Sequence, residues 1–120
     1  MTKGEAIQNF FEQFMQAYPA SAVPQDIVFP WLTYELKTGA WGDEDADIQV
    51  NLWYHTTSEA EPNAMAEHIG QTIGRGGILL PCDNGAIWVK RGSPWCQSVP
   101  DADSAVKRRL LNLSLEFLTP

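Results

Sequence analysis

Residues that carry catalysis or hold metals are scarce, with two histidines and two cysteines in 120 residues. His55 and His68 fit no metal-ligand spacing such as H-E-x-x-H, so a strand-end and a helix-surface histidine are expected. Cys82 and Cys96 form no C-x-x-C pair, and no motif ties either to a histidine. Two buried thiols in a reduced, cytoplasmic chain are expected. No stretch approaches the roughly 20 apolar residues of a membrane-spanning helix. The first residues lack the basic start and apolar run of a secretory leader, so none is expected. Repeats and low-complexity runs are missing too, which excludes solenoids and disordered tails.

Positive charge is also in short supply. Eight Lys and Arg stand against 15 Asp and Glu, a net charge of −7. Such a chain repels the nucleic-acid backbone, which excludes sequence-reading or tight non-specific DNA binding and leaves DNA at most as passing cargo. The length fits one domain, residues 1–120, with a core that needs no metal or disulfide.

What is present is hydrophobic periodicity, centred on residues 47–73. Ile48, Val50, Leu52 and Tyr54 alternate with Gln49, Asn51, Trp53 and His55, the period of a half-buried strand. Helical spacing follows in Met65/Ala66, Ile69 and Thr72/Ile73. Ser58 with Glu61 forms a capping-box pattern, and Pro62 is suited to a first helical turn. An earlier stripe of Ile7, Phe10, Phe11, Phe14, Met15 and Tyr18 predicts a helix over residues 1–18, ended by Pro19. Residues 27–36 predict a strand with Leu32, Tyr34 and Leu36 on one face and Pro30 at its start or on an edge.

The turn T-G-A-W-G-D-E-D-A-D at 38–47 returns the chain to the central strand. Asp43, Asp45 and Asp47 mimic the first ligands of a calcium loop. Ile48 then stands where that loop needs glycine, and Tyr54 where it needs glutamate, so a solvated acidic hairpin tip is expected. The glycines at 74–77 end the second helix and do not precede it, which is the wrong order for a phosphate cradle. Asp83-Asn84-Gly85 between two apolar runs predicts a hairpin. Residues 92–103 predict an irregular arm around Trp95, and residues 106–118 a long interior strand with Leu111, Leu113, Leu115 and Phe117 on one face. No G-x-S-x-G, dinucleotide fingerprint or paired-carboxylate motif occurs, so nothing argues for an enzyme.

The wording F-P-W-L-T-Y-E-L at 29–36, I-Q-V-N-L-W-Y-H-T-T-S at 48–58, G-G-I-L-L-P-C at 76–82 and W-V-K-R-G-S-P-W-C-Q at 88–97 resembles the tail terminators of long-tailed phages and prophages. Some of these proteins are labelled minor tail or minor capsid proteins. The resemblance covers nearly the whole chain. It implies an α+β fold, with two helices on one face of an antiparallel sheet of about four to five strands, in the order α-β-β-α-β-β-β. It also implies a homo-oligomeric ring, usually a hexamer and monomeric at times in isolation, that caps the tail tube, stops its growth and meets the head connector. Its place would be the virion tail, and the host cytoplasm during assembly. The family has no catalytic, cofactor or metal residues to carry over. A head-closure adaptor, or a small-molecule-binding domain using a concave sheet, is the alternative.

A ring of identical subunits needs two different patches per subunit. The candidates are Trp41, Asp43, Glu44 and Asp45 on the acidic turn, and Arg91, Trp95, Arg108 and Arg109 on or beside the arm. Trp95 is expected to be buried by a neighbouring subunit more than by its own chain. Trp31 and Trp53 are expected on the outer face of the sheet.

Overall fold

The computed structural model describes residues 1–41 and 43–120; Gly42, in the acidic turn, lies outside the described residues. The chain runs α1 (Lys3–Glu12), β1 (Ala17–Pro19), β2 (Trp31–Thr38), β3 (Asp45–His55), α2 (Ala60–Ile73), β4 (Ile78–Cys82), β5 (Gly85–Val99) and β6 (Val106–Leu118). All six strands form one sheet in the order β1-β2-β3-β6-β5-β4. β1 pairs parallel with β2 and the other pairs are antiparallel. This corrects the expected four-to-five-stranded antiparallel sheet: the sheet is mixed, has six strands, and begins its strand order between the first helix and β2.

The difference arises at the N-terminal helix. Thr2 and Glu5 cap it reciprocally, Thr2 Oγ1 accepting from the Glu5 amide at 3.1 Å and Glu5 from the Thr2 amide at 2.9 Å. It ends at Glu12, six residues before the end the apolar stripe predicts. Gln8 donates to the Ala17 carbonyl at 2.8 Å and accepts from the Tyr34 hydroxyl, which ties the helix to the two strands beside it. Gln16 donates to the Pro30 carbonyl at 2.9 Å, closing the connector that brings β2 alongside β1. Phe14 and Met15 still reach the edge of the core from a turn. The helical stripe therefore marks which residues face inward but not where the helix stops.

β3 and β6 form the middle of the sheet, paired without interruption from Asp45↔Glu116 to His55↔Val106. Their inward residues, Ala46, Ile48, Val50, Leu52 and Tyr54 with Leu111, Leu113, Leu115 and Phe117, are buried, and Ile7, Phe10, Phe11, Ala66, Ile69 and Ile73 of the helices cover them. Both helices lie on this one face. Of the apolar residues that the periodicity points inward, Leu52, Leu113, Leu115, Phe10 and Ile69 are buried together, and Phe14 is partly so.

The predicted arm is instead the second half of β5. After Arg91↔Leu113 the register jumps to Cys96↔Leu111, so residues 92–95 bulge out opposite Asn112 alone. Asn112 holds the bulge by donating to the Pro94 carbonyl at 3.0 Å. Gly92 is required there, because a Cβ would meet the Asn112 carbonyl oxygen at 2.7 Å. Such a bulge destroys period-two alternation, which is why the stretch has no strand pattern.

The start of α2 also departs from expectation. No side chain caps it; the Ser58 hydroxyl accepts only from the Ala60 amide, and Glu59 is the cap residue. The carboxylate of Glu59 binds the Arg109 guanidinium and lies 3.6 Å from Lys107. Arg109 also donates to Asn63 Oδ1 at 2.9 Å and to the Arg108 carbonyl at 3.2 Å. A buried arginine on β6 thus fixes the helix start to the sheet, taking the place of a cap.

Two outcomes follow from this packing. Leu113→Ala, which empties a buried position between β3 and β5, should cost about 2–5 kcal/mol in denaturant unfolding; a loss typical of surface substitutions, under about 0.5 kcal/mol, would show the faces reversed. The Arg109 hydrogen bond, with Lys107 nearby, holds the Glu59 carboxyl below its usual 4.5. A depressed carboxylate pKa contributes stability that is complete above 4.5 and lost as pH falls through the lower folded value. Melting temperature should drop over that window, and Glu59→Gln should flatten the drop; an unchanged slope would remove Glu59 from the account.

Candidate functional site: the uncovered face of the sheet

With both helices on one face, the other face has no layer over it. Period-two alternation puts Trp31, Thr33 and Glu35 of β2, Gln49, Asn51, Trp53 and His55 of β3, and Arg108, Leu110, Asn112 and Glu116 of β6 on this outer side. Most of it is polar, as the exposed face of an antiparallel sheet usually is. One corner is not.

There Trp31 and Trp53, directly opposite across β2 and β3, stack with ring centroids 5.7 Å apart and planes 17° from parallel. Phe29 packs on Trp31 at 4.3 Å and on the His55 ring at 5.5 Å. The Trp53 indole donates to Thr33 Oγ1 at 3.2 Å, which is why Thr33 is buried on an otherwise open face. The Arg108 guanidinium lies over Trp53, its Cζ 4.5 Å from the ring centroid, and its Nε donates to Asn51 Oδ1 at 2.9 Å. Aromatic stacking, a cation–π contact and a hydrogen bond thus fix a half-buried cluster that, among the described residues, nothing covers.

The expected interface residues do not come together in one place. Trp41, Asp43, Glu44 and Asp45 are exposed at the acidic tip, where Trp41 touches the Phe117 ring edge-on at 5.9 Å and the Glu44 carbonyl accepts from the Phe117 amide. Arg108 belongs to the aromatic corner, at the far end of the β3–β6 pair. Asp45 and Trp53 are eight residues apart on β3, about 26 Å at strand rise. Arg109 is adjacent in sequence but points to the opposite face, where Glu59 and Asn63 occupy it; it is therefore no free interface charge.

Arg91 and Trp95 line a third place, a notch of about 430 Å³ between α2 and β5. The bulge turns Trp95 onto α2, where a Cβ at Gly70 would come 3.0 Å from the indole nitrogen. Trp95 packs against the chain's own core. Its own chain half-buries it there, which leaves part of the indole for the neighbour that the sequence reading expects. Between the bulge and the acidic tip, Thr38, Asp47, Gln49, Ser93 and Asn112 line a polar cleft of about 440 Å³.

Neither cysteine is fully buried. Burial raises the Cys96 thiol pKa, the opposite of what a thiolate nucleophile needs. Burial also pushes the Tyr54 hydroxyl up to about 12, so it stays protonated beside Pro30, Met65 and His68. His68 packs against Phe14. Among the described residues, no group of three His, Cys, Asp or Glu side chains is placed to hold a metal ion. Among the described residues, no helix is long and apolar enough to cross a membrane.

The aromatic corner was only partly visible from sequence. The alternation assigns Trp31 and Trp53 to the outer face, but Phe29 and Arg108 join them only through the pairing of β2, β3 and β6. No protein-family model matches the chain, and no curated protein matches it.

Trp95→Ala separates core from interface. It should lower the unfolding free energy of the monomer by about 2 kcal/mol, less than truncating a fully buried tryptophan. Unchanged monomer stability in denaturant titration would return Trp95 to an intermolecular role.

Proposed function

We propose that this chain is a structural assembly protein, a tail-terminator-like subunit of a long-tailed phage or prophage. It forms a ring on the end of the tail tube, stops tube addition and presents the ring's far surface to the head connector. Its partners are further copies of itself, the tail tube protein and the connector protein, and DNA passes through without being gripped. The observation that carries this reading is the uncovered aromatic corner at one end of the sheet with an unlike, acidic surface at the other. Half-buried tryptophans and an arginine are the residues that anchor protein interfaces. Two unlike surfaces on one subunit suit head-to-tail association, which closes into a ring when the rotation allows. The sequence wording at 29–36, 48–58 and 76–97 points the same way, and the net charge of −7 fits a protein that DNA must slide past.

The test is tube growth. Added to polymerising tail tube protein from the same phage or prophage, the chain should arrest elongation and appear by electron microscopy as a ring on one end of each tube. Tubes that grow unchecked and carry no added density would overturn the reading. A ring bound to the portal-side connector and absent from tubes would reassign the chain as a head-closure adaptor.

A further inference from the structure

We propose that the Arg108–Trp53–Trp31 corner is the receptor for the acidic tip of a second copy of this chain, so that copies join tip to corner. This rests on the assembly reading above and adds which surfaces meet.

The receptor side is a prepared carboxylate site. Arg108 lies on Trp53 and is held by Asn51 through Nε. Among the described residues its two terminal nitrogens donate to nothing. A guanidinium held by its stacked face and one nitrogen presents the remaining fork outward, the edge that binds a carboxylate bidentately. Its neighbour Arg109 shows the contrast, since Glu59, Asn63 and a backbone carbonyl take up its nitrogens.

The ligand side carries unanswered charge. Asp43, Glu44 and Asp45 are exposed, and among the described residues no cation pairs with any of them. Asp45 stands directly across from Glu116, and Lys90 pairs with Glu116 at 3.4 Å. Like charges directly opposite on a sheet are destabilising, so an incoming guanidinium relieves the tip. Trp41, 42% exposed beside these carboxylates, supplies an apolar flank to meet Trp31 and Phe29.

Charge complementarity between the two ends points to another copy as the partner. With about 26 Å of strand between tip and corner, one chain cannot close the contact on itself. The two surfaces differ, so the contact is heterologous and leaves a tip and a corner open for the next copy. A phosphate backbone would suit the same arginine fork, but a single arginine at this corner, on a chain of net charge −7, is a poor footing for a polyanion.

The experiment is a charge swap read by sedimentation velocity over a range of protein and salt concentrations, with circular dichroism confirming the fold. The wild-type chain should self-associate, less so as salt rises. Arg108→Glu should weaken association at least about tenfold, because it sets like charges face to face. Asp43→Lys with Asp45→Lys should do the same. Mixing the two variants should restore association, since each tip then meets a corner of opposite charge, while either variant alone stays dissociated. Arg108→Gln, which removes the charge without reversing it, should fall between. Variants that associate as the wild type does would overturn the inference, as would a mixture that fails to recover or a wild-type chain that stays monomeric throughout. The ring reading is judged separately, by whether the wild-type chain caps tubes.

Discussion

The structure depends on the pairing of β3 with β6. Eleven residues of β3 match β6 without a slip, and that single register decides which side chains form the core and which form the outer face. A slip of β6 by one residue against β3 would turn Leu111, Leu113 and Leu115 outward and bring Arg108 and Asn112 beneath the helices. The cost of burying Arg108 without a partner, added to the lost apolar burial, makes the alternative register inaccessible. The same constraint that builds the core therefore places Arg108 beside Trp53.

Arg109 shows how strictly the faces are separated. It lies one residue from Arg108 and so points the other way, under the start of α2, where a buried guanidinium needs every hydrogen bond it can find. Glu59, Asn63 and the Arg108 carbonyl provide them. Two adjacent arginines thus have opposite employment. One fastens a helix to the sheet, and the other is left on the surface with its fork open.

The sequence carried the strongly periodic parts of this fold and lost the parts where a long-range contact overrules periodicity. Alternation placed β3 and β6, assigned both faces of β2 and put most of the core where it is. Asn84 and Gly85 located the β4–β5 turn, where Asn84 adopts φ 65°. Alternation could not reveal the parallel β1, since its three residues extend an apolar stripe that looks helical. Nor could it reveal the later half of β5, since a four-residue bulge breaks the pattern and swings Trp95 onto α2. The cap of α2 was misjudged for a related reason: Ser58 and Glu61 satisfy a local rule, while Glu59 answers to an arginine fifty residues away. At α1 the reverse holds, since Thr2 and Glu5 form a capping box that the local T-x-x-E pattern already spells out.

These separations bear on the outer face. The Trp31–Trp53 stack, the Thr33 hydrogen bond and the Arg108 cation–π contact restrain one another before any partner arrives. Ordering long side chains is a principal cost of association, so a cluster already fixed by its own strands loses little further freedom on docking. The acidic tip differs, since among the described residues no cation pairs with its carboxylates, which sit at and just before the start of β3. A rigid receptor and a charged, loosely held ligand on the same chain favour fast, electrostatically steered encounter followed by docking on a preformed surface. Net negative charge opposes indiscriminate clustering of copies. In the proposed contact, charge selects the orientation and the aromatic surface holds it.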